Sequence, residues 1–273
     1  KPGNPNRLRN DIKISLDHED FDFQSGVISY ENLREKKQSD KYQYVLPYYN
    51  FDKNISQNYF DGNISLNSNG NNVLNNTNKL ETNIINNLTY NSLDFISDLG
   101  LKNNFGINFK NLNSIGKKSS KYKNSVQSEV ISLYNIDSSL PLSNESKKSK
   151  NFLTPKLSFR INPSDMKDYS SSNRIISADN VFAINRFGLS DSFESGRSLT
   201  LGVNYKKEKK DTVDNLIDIN KYFEVKLATV LRDKEESFIP NKSSLNRTNS
   251  NLFGSITNKF SKNIEIGYNF SLD

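Results

Sequence analysis

The sequence predicts an all-β protein whose strands form an antiparallel meander. Three observations predict this fold class. Apolar and polar residues alternate with a period of two along most of the 273 residues, which is the pattern of half-buried strands. No window keeps apolar residues at i, i+3, i+4 and i+7 for three helical turns. Turn-forming residues and clusters of Asn, Ser and Lys separate the alternating runs, so neighbouring strands are expected to follow one another.

The alternating runs justify the strands one by one. They cover residues 12–16, 21–23, 42–46, 64–66, 105–109, 157–161, 199–205, 223–231 and 264–272. A membrane-crossing strand needs about nine to eleven residues, so these runs and their spacers predict roughly ten strands. No sharp domain boundary and no exact repeat interrupts residues 1–273.

The connections are predicted from local composition. Turn dipeptides lie at or beside Asp61-Gly62, Asn69-Gly70, Ile115-Gly116 and Asn162-Pro163. Polar spacers are predicted over residues 111–124, 143–150, 206–215 and 233–250. Segment 172–189 is the least strand-like part, and we expect it to be irregular with one short turn.

The composition favours a transmembrane barrel over a soluble sandwich. The hydrophobic fraction is 34%, low for a packed domain, yet 13 Tyr and 17 Phe are too many for a disordered chain. The polar positions carry full charges in strand after strand, and such a face needs water, which a barrel lumen supplies. Aromatic residues near strand ends suit interfacial girdles: Tyr48, Tyr49, Phe51, Tyr59, Phe60, Tyr90 and Tyr134. One alternative is a soluble β-rich adhesin or a phage-fibre-like binding module, and another is an outer-membrane enzyme or porin of another family.

Several function classes are excluded. The chain has no Cys, which excludes disulfides, Cys-zinc sites and thiol nucleophiles, and its single His18 excludes a multi-His metal site. No G-x-S-x-G context accompanies His18 and no phosphate loop is present, so we expect no enzyme, no cofactor and no metal. The chain starts at Lys1 and ends within an alternating run, so we expect an internal fragment of a longer protein.

The net charge of +6 does not by itself predict nucleic-acid binding. The basic residues lie beside Ser, Asn, Gly or Asp between alternating segments, which is typical of solvated turns. These clusters are Arg34, Lys36 and Lys37; Lys117, Lys118, Lys121 and Lys123; Lys147, Lys148 and Lys150; and Lys206, Lys207, Lys209 and Lys210. We therefore expect no nucleic-acid partner.

A specific signature lies between residues 153 and 205. It consists of Leu153 to Pro163, then Asp179 to Phe182, then Asn185 to Gly196, and finally Leu199 to Tyr205. This stretch resembles the C-terminal barrel of the LptD family, which assembles lipopolysaccharide in Gram-negative outer membranes. Weaker similarity lies at Ser39 to Pro47, Tyr134 to Leu142 and Leu231 to Ser255. The Asn-, Lys- and Ile-rich style resembles an alphaproteobacterial member with an AT-rich genome.

The resemblance implies a fold, a location and partners. It implies part of a large barrel of about 26 strands in the outer membrane. It also implies that the chain lacks the N-terminal jelly-roll and both ends of the barrel. The implied function is transport of lipopolysaccharide and its insertion into the outer leaflet. The implied partners are lipopolysaccharide, outer-membrane lipid, the plug lipoprotein LptE, and the bridge protein LptA through the missing jelly-roll.

The family motif implies the candidate site residues. The positions that match it are Asn185, Arg186, Phe187, Gly188, Asp191, Glu194, Gly196 and Gly202. Two positions depart from it, because Leu189 stands where Gly is usual and Ser192 where Arg is usual. We expect this loop either to contact plug or sugar or to be held by its own pairing of Arg186 with Asp191 or Glu194.

Charges on the polar faces of the predicted strands are candidates for a lumen wall. They are Lys226, Arg232 and Glu265. Such charges either guide anionic phosphosugars or simply keep the wall wet.

Overall fold

The computed structural model describes residues 6–37, 41–57, 61–76, 78–210 and 217–273. These residues form fourteen strands and one short 3₁₀ helix, η1 (Asn241–Ser243). The strands are β1 (Arg7–His18), β2 (Phe21–Asn32), β3 (Tyr42–Gln57), β4 (Gly62–Asn75), β5 (Lys79–Ser92), β6 (Phe95–Ile96), β7 (Lys102–Lys117), β8 (Gln127–Ser139), β9 (Leu142–Glu145), β10 (Ser149–Asn162), β11 (Gly196–Lys210), β12 (Ile217–Arg232), β13 (Leu252–Ser261) and β14 (Ile264–Leu272).

The strands follow one another in a single antiparallel meander, which confirms the predicted fold class. The order is β1-β2-β3-β4-β5-β7-β8-β10-β11-β12-β13-β14, with the short strands β6 and β9 paired to β7 and β10. The described part of the chain thus has twelve long strands, more than the predicted ten. β5 has no strict alternation, because Asn residues occupy both faces of its sequence KLETNIINNLTYNS.

Two compact units divide the chain, and each is described by itself. The first comprises Lys1–Asn91 and Asn108–Ile131, and the second comprises Ser92–Ile107 and Ser132–Asp273. In the first unit, Ile12 opposes Val27 and Leu16 opposes Phe23, so one face of β1 and β2 is apolar. The other face is polar, and there Asn67 donates to Asp52 at 2.6 Å while Asn87 donates to Asn67 at 3.0 Å.

The second unit has the same division of faces. Cross-strand partners in a sheet point to the same side, so the register identifies each face. One row is Phe159, Leu199 and Leu231, and the row two residues along is Leu157, Leu201 and Thr229. The opposite face carries the row Arg160, Ser198 and Arg232. The apolar face is the exposed one, since Leu157, Leu201 and Leu231 are each 38% exposed.

Two of the predicted turns lie inside strands, and the prediction was wrong there. Asn69-Gly70 lies in the middle of β4, where Gly70 pairs with Tyr49. A Cβ on Gly70 would lie 2.6 Å from the Tyr49 ring, so this glycine makes room for an aromatic side chain. Ile115-Gly116 lies within β7, and its Gly116 likewise packs close to Tyr122.

The other connections are partly as predicted. A turn precedes β4 at Asp61, whose φ is +42°, and β10 ends at Asn162, before Pro163. Residues 163–195 form no strand, which confirms the irregular segment, and residues 233–250 are a loop as expected. The polar spacers at 111–124, 143–150 and 206–215 were wrong in part, because strands β7, β9, β10 and β11 extend into them. Residues 211–215, Ser39, Asp40, Tyr59 and Phe60 lie outside the described residues.

Candidate functional site

A long loop of residues 163–195, here the covering loop, folds over the polar face of the second unit. Its buried apolar side chains pack on the strand residues Ala228, Val230 and Phe253. The loop between β12 and β13 adds Ile239 and Leu245 to the same cluster. The full apolar cluster is Met166, Ile176, Ala178, Val181, Phe187, Leu189, Ala228, Val230, Ile239, Leu245 and Phe253. The covering loop therefore sits on the apolar residues of an otherwise polar face.

An ion cluster fixes the covering loop to the sheet. The guanidinium of Arg186 donates to both carboxylate oxygens of Glu194, at 2.6 Å from Nε and 2.5 Å from Nη2. Arg232, at the end of β12, donates from Nη1 to the same carboxylate and from Nη2 to the carbonyl of Ser195 at 2.5 Å. The side chains of Arg186 and Arg232 are each 1% exposed, and that of Glu194 is 9% exposed. A bidentate pair of this kind holds both partners in one geometry.

Further hydrogen bonds tie Arg186 to the strand beneath it. It donates to the hydroxyls of Thr200 and Ser198, both at 3.2 Å, and to the carbonyl of Val181 at 3.4 Å. These acceptors explain why two buried hydroxyl residues of β11 point towards the loop. A buried guanidinium is stable only when its donors are satisfied, and Arg186 meets that condition.

A third arginine joins the cluster from β10. Arg160 is buried and donates to the carbonyl oxygens of Phe182, at 2.9 Å, and Ile184, at 3.5 Å. Its Nε has no hydrogen-bond partner among the described residues. Three buried guanidinium groups thus surround one buried carboxylate, which gives this part of the sheet face an excess of positive charge.

The arginines control the ionisation of the carboxylate. Burial raises the pKa of Glu194, but the charges of Arg186, Arg232 and Arg160 and the hydrogen bonds from Arg186 outweigh it and lower the pKa to about 2. Glu194 is therefore ionised at every physiological pH.

A second set of contacts lies at the edge of the covering loop, around Asp191. Its carboxylate accepts from the Nζ of Lys167 at 3.2 Å and from the hydroxyl of Tyr169. Burial raises the pKa of Asp191, yet these two donors hold it below its ordinary value. Burial and the bond to Asp191 raise the pKa of Tyr169 to about 12. The side chain of Asp191 is 30% exposed, so this pair is wetter than that of Glu194.

Two kinds of feature are absent from the described residues. They contain no group of three or more His, Cys, Asp or Glu side chains placed to hold a metal ion. Within the same ranges, no helix is long and apolar enough to cross a membrane.

The comparison with protein families decides the identity. The family model described as "LptD: LPS transport system D" matches residues 4–273. The chain belongs to the LptD family. It is thereby assigned to lipopolysaccharide transport and to a family of outer-membrane proteins, which its β-rich structure fits. No curated protein sequence matches the chain.

The LptD motif residues lie in or beside the covering loop. Of the two carboxylates considered for Arg186, Glu194 accepts its hydrogen bonds and Asp191 does not. Asn185 closes a turn: its Oδ1 accepts from the N–H of Leu189 at 2.9 Å and its Nδ2 donates to the carbonyl of Leu189 at 2.8 Å. Phe187 and Leu189 are buried in the apolar cluster.

Backbone conformation or close packing requires glycine at three motif positions. Gly188 has φ +61° and Gly196 has φ +78°, both in the left-handed region that favours glycine. Gly202 lies in β11 under the ring of Phe182, where a Cβ would be 2.8 Å from ring carbons. Gly188 therefore supplies the left-handed turn although Leu189 follows it. The departure at Ser192 places a small buried hydroxyl there, which accepts from the N–H of Lys167 at 3.2 Å.

The three candidate wall charges share one face of the LptD sheet. Lys226 opposes Ser255, which opposes Asn269, and Glu265 opposes Lys259 on the same side. Lys226 donates to Asp179 of the covering loop at 2.7 Å. Arg232 pairs with Glu194 in the ion cluster and does not face water. Glu265 is exposed, and its carboxylate lies 3.7 Å from the Nζ of Lys259.

Sequence reasoning missed the burial of Arg160 and the packing of the loop between β12 and β13 on the apolar cluster. Arg160 alternates with Leu157, Phe159 and Ile161, which indicates a wet position, and nothing local shows that a distant loop buries it. Leu245 is an isolated apolar residue and Ile239 follows Phe238 as a short apolar pair, both in a polar stretch. One sequence signal indicated that the polar face is covered there: Ala228 and Val230 are apolar residues in the polar register of β12.

Proposed function

We propose that this chain forms a segment of the barrel wall of the lipopolysaccharide translocon, which inserts lipopolysaccharide into the outer leaflet. The observation that carries the proposal is the division of faces in the second unit. An exposed apolar face lies opposite a polar face that is partly covered by loops. A soluble protein would bury the apolar face, whereas a barrel wall turns it to lipid.

The apolar face covers most of the height that a membrane requires. Outward positions of β11 run from Leu199 to Tyr205, and those of β12 run from Leu231 to Phe223. The nine residues of the β12 run are separated by eight rises, about 26 Å in all, and a tilt of about 40° reduces this to a height of about 20 Å. An outer-membrane barrel has an apolar band about 25 Å tall, so these strands supply most of that band.

The polar face supplies the lumen wall. Lys226 and Glu265 are the wall charges that keep contact with water, and they suit the phosphates and sugars of lipopolysaccharide. The covering loop narrows the lumen beside β10, β11 and β12, and its ion cluster keeps it in place. We propose that the Asn185-to-Gly196 motif is chiefly a structural lock and that exposed parts of the loop contact plug or sugar.

The remaining partners belong to the whole protein. We propose that the plug lipoprotein LptE occupies the lumen, and that LptA delivers lipopolysaccharide through an N-terminal jelly-roll. The family provides the reason for both partners. The chain itself contributes the wall, and the energy for transport comes from elsewhere.

Single-cysteine labelling along β12 of the full-length protein in intact cells tests the membrane placement. Cysteines at Phe223, Val225, Leu227 and Leu231 should react with a lipid-soluble reagent. Cysteines at Glu224 and Lys226 should react with a small aqueous reagent. A cysteine at Val230 should react with neither, because the covering loop buries it.

Depletion of the protein and complementation then test the transport role. Surface lipopolysaccharide should fall on depletion and return with the wild-type gene. Protection of the apolar set from both reagents would instead favour the soluble adhesin, and the barrel would be abandoned. A lipid-reactive set with unchanged surface lipopolysaccharide would keep the barrel and reject the transport role.

A further inference from the structure

Two lysine-rich segments meet at the end of the second unit that lies away from the covering loop. β10 begins at Ser149 and β11 ends at Lys210, and their register pairs Ser149 with Lys209 and Asn151 with Lys207. The N–H of Lys210 donates to the carbonyl of Lys148 at 3.0 Å. Lysines about 60 positions apart in sequence therefore share one small surface.

Four of these lysines form what we call the lysine platform: Lys147, Lys148, Lys207 and Lys209. All four are exposed. Their neighbours Lys206 and Lys210 pair with Glu208 and Glu145, each at 2.6 Å. Neither Glu145 nor Glu208 forms an ion pair with the four platform lysines. The platform thus concentrates four exposed lysines on one small surface, with Asp218 opposite Lys209 in the register.

The platform adjoins the apolar face. Lys207 and Lys209 follow Val203 and Tyr205 in the outward register of β11, so they lie at the edge of the apolar band. Lysines in this position extend their ammonium groups to the phosphate level of a membrane while their stems cover apolar surface.

An apolar groove of about 530 Å³ lies further along the same face. Its apolar lining is Leu101, Leu140, Pro155, Leu157 and Leu201. The groove lies where β8 ends at Ser139 and β9 begins at Leu142, opposite Pro155 of β10. Proline has no N–H group and cannot donate a hydrogen bond to the neighbouring strand, so the sheet has fewer backbone hydrogen bonds at Pro155. Groove and platform are four to six residues apart along β10, about 13–20 Å.

We propose that the lysine platform and this groove together bind one anionic phospholipid of the surrounding membrane. The phosphate lies at the lysines and an acyl chain runs along the outward face into the groove. The distance between platform and groove suits a lipid with its phosphate at the membrane surface and its acyl chain in the core, since half of a bilayer core is about 15 Å thick. The inference rests on the proposed membrane placement. The long loops are at the opposite end of the unit, and long loops are extracellular in such barrels, so the site is in the inner leaflet.

Native mass spectrometry of the purified full-length complex in uncharged detergent tests the proposal. The probes are phosphatidylglycerol and phosphatidylcholine with identical acyl chains. The wild type should prefer phosphatidylglycerol. In the double variant K207Q/K209Q, that preference should fall about tenfold or more, because each basic residue near an anionic surface contributes roughly a factor of five.

The matched control is K234Q/K242Q, which removes two exposed lysines from the loop between β12 and β13. It should keep the wild-type preference. Leu140→Phe, which fills the groove, should weaken both lipids equally. Equal binding of the two lipids by the wild type, or an equal loss of preference in the control, would overturn the lysine role. A lipid-facing β12 in the labelling experiment would then still stand, so the two failures are distinguishable.

Discussion

Removing the charge of Glu194 should release the covering loop. Glu194→Gln keeps the size of the side chain and one acceptor oxygen, but it replaces the other oxygen with an NH₂ group. That group would face the guanidinium donors of Arg186 and Arg232. The variant therefore leaves buried positive charge without its carboxylate.

Two routes give the magnitude. Breaking a buried ion pair by removing one partner costs about 3–5 kcal/mol. Independently, lowering the pKa of Glu194 from 4.5 to about 2 corresponds to about 3 kcal/mol in favour of the folded, ionised state. Both values predict that the loop opens at least about a hundredfold more often.

The assay is hydrogen exchange of residues 163–195 in the full-length protein, with heat-modifiable gel mobility as the test of barrel folding. Exchange in the covering loop should accelerate about a hundredfold while the strands stay protected. The matched control is Asp191→Asn, whose carboxylate pairs at the wetter edge of the loop. It should accelerate exchange no more than about fivefold. Equal exchange in wild type and Glu194→Gln, or a larger effect in the control, would refute the locking role of the cluster.

Three further predictions follow from the same loop. The pKa of Glu194 is lower in the folded protein than in the unfolded chain, so its contribution to stability is lost as the pH falls. Protection of the covering loop from hydrogen exchange should be constant from pH 8 to 5 and decline between about pH 4.5 and 2, which exchange measured at stepped pH checks. The pKa of Tyr169 is raised on folding, so the stability it contributes is lost as the pH rises. Protection of the covering loop should therefore decline from pH 10 to about 12, and Tyr169→Phe should remove that decline. Gly202→Val should displace Phe182 and destabilise the loop by about 1–3 kcal/mol, whereas Asp179→Asn, which breaks the exposed pair with Lys226, should cost under about 1 kcal/mol; thermal unfolding of both variants compares them.

The fold could be predicted because alternation survives in each strand separately. Residues 199–205 of β11 and 264–272 of β14 keep strict period two, and nothing outside them is needed to identify their faces. β5 and the middle of β4 could not be predicted, because their strand conformation depends on contacts with neighbouring strands. Asn69-Gly70 has the local chemistry of a turn, but Gly70 lies under the Tyr49 ring of the adjacent strand. Gly254 is similar, since the Phe270 ring covers it from β14.

The site could be predicted only where the motif carried it. Arg186 and Glu194 are eight residues apart in one loop, so their pairing could be proposed from sequence. Arg232 reaches the same carboxylate from 38 residues further along the chain. Its burial depends on the loop folding over the sheet, a tertiary event with no local pattern. For that reason Arg232 was predicted among the wall charges, and its pairing with Glu194 was not predicted.

The apolar cluster and the arginines together argue that the covering loop is a permanent part of the polar face of the sheet. Ala228, Val230 and Phe253 occupy the polar register, and without the loop they would face water. Arg160, Arg186 and Arg232 would meanwhile lose the carboxylate and carbonyls that satisfy them. Opening the loop would therefore lose apolar burial and ion pairing at once. If the chain lines the translocon, the saccharides of lipopolysaccharide must move past the outer surface of this loop. They would meet Lys226 and Asp179 at its margin rather than the buried arginines.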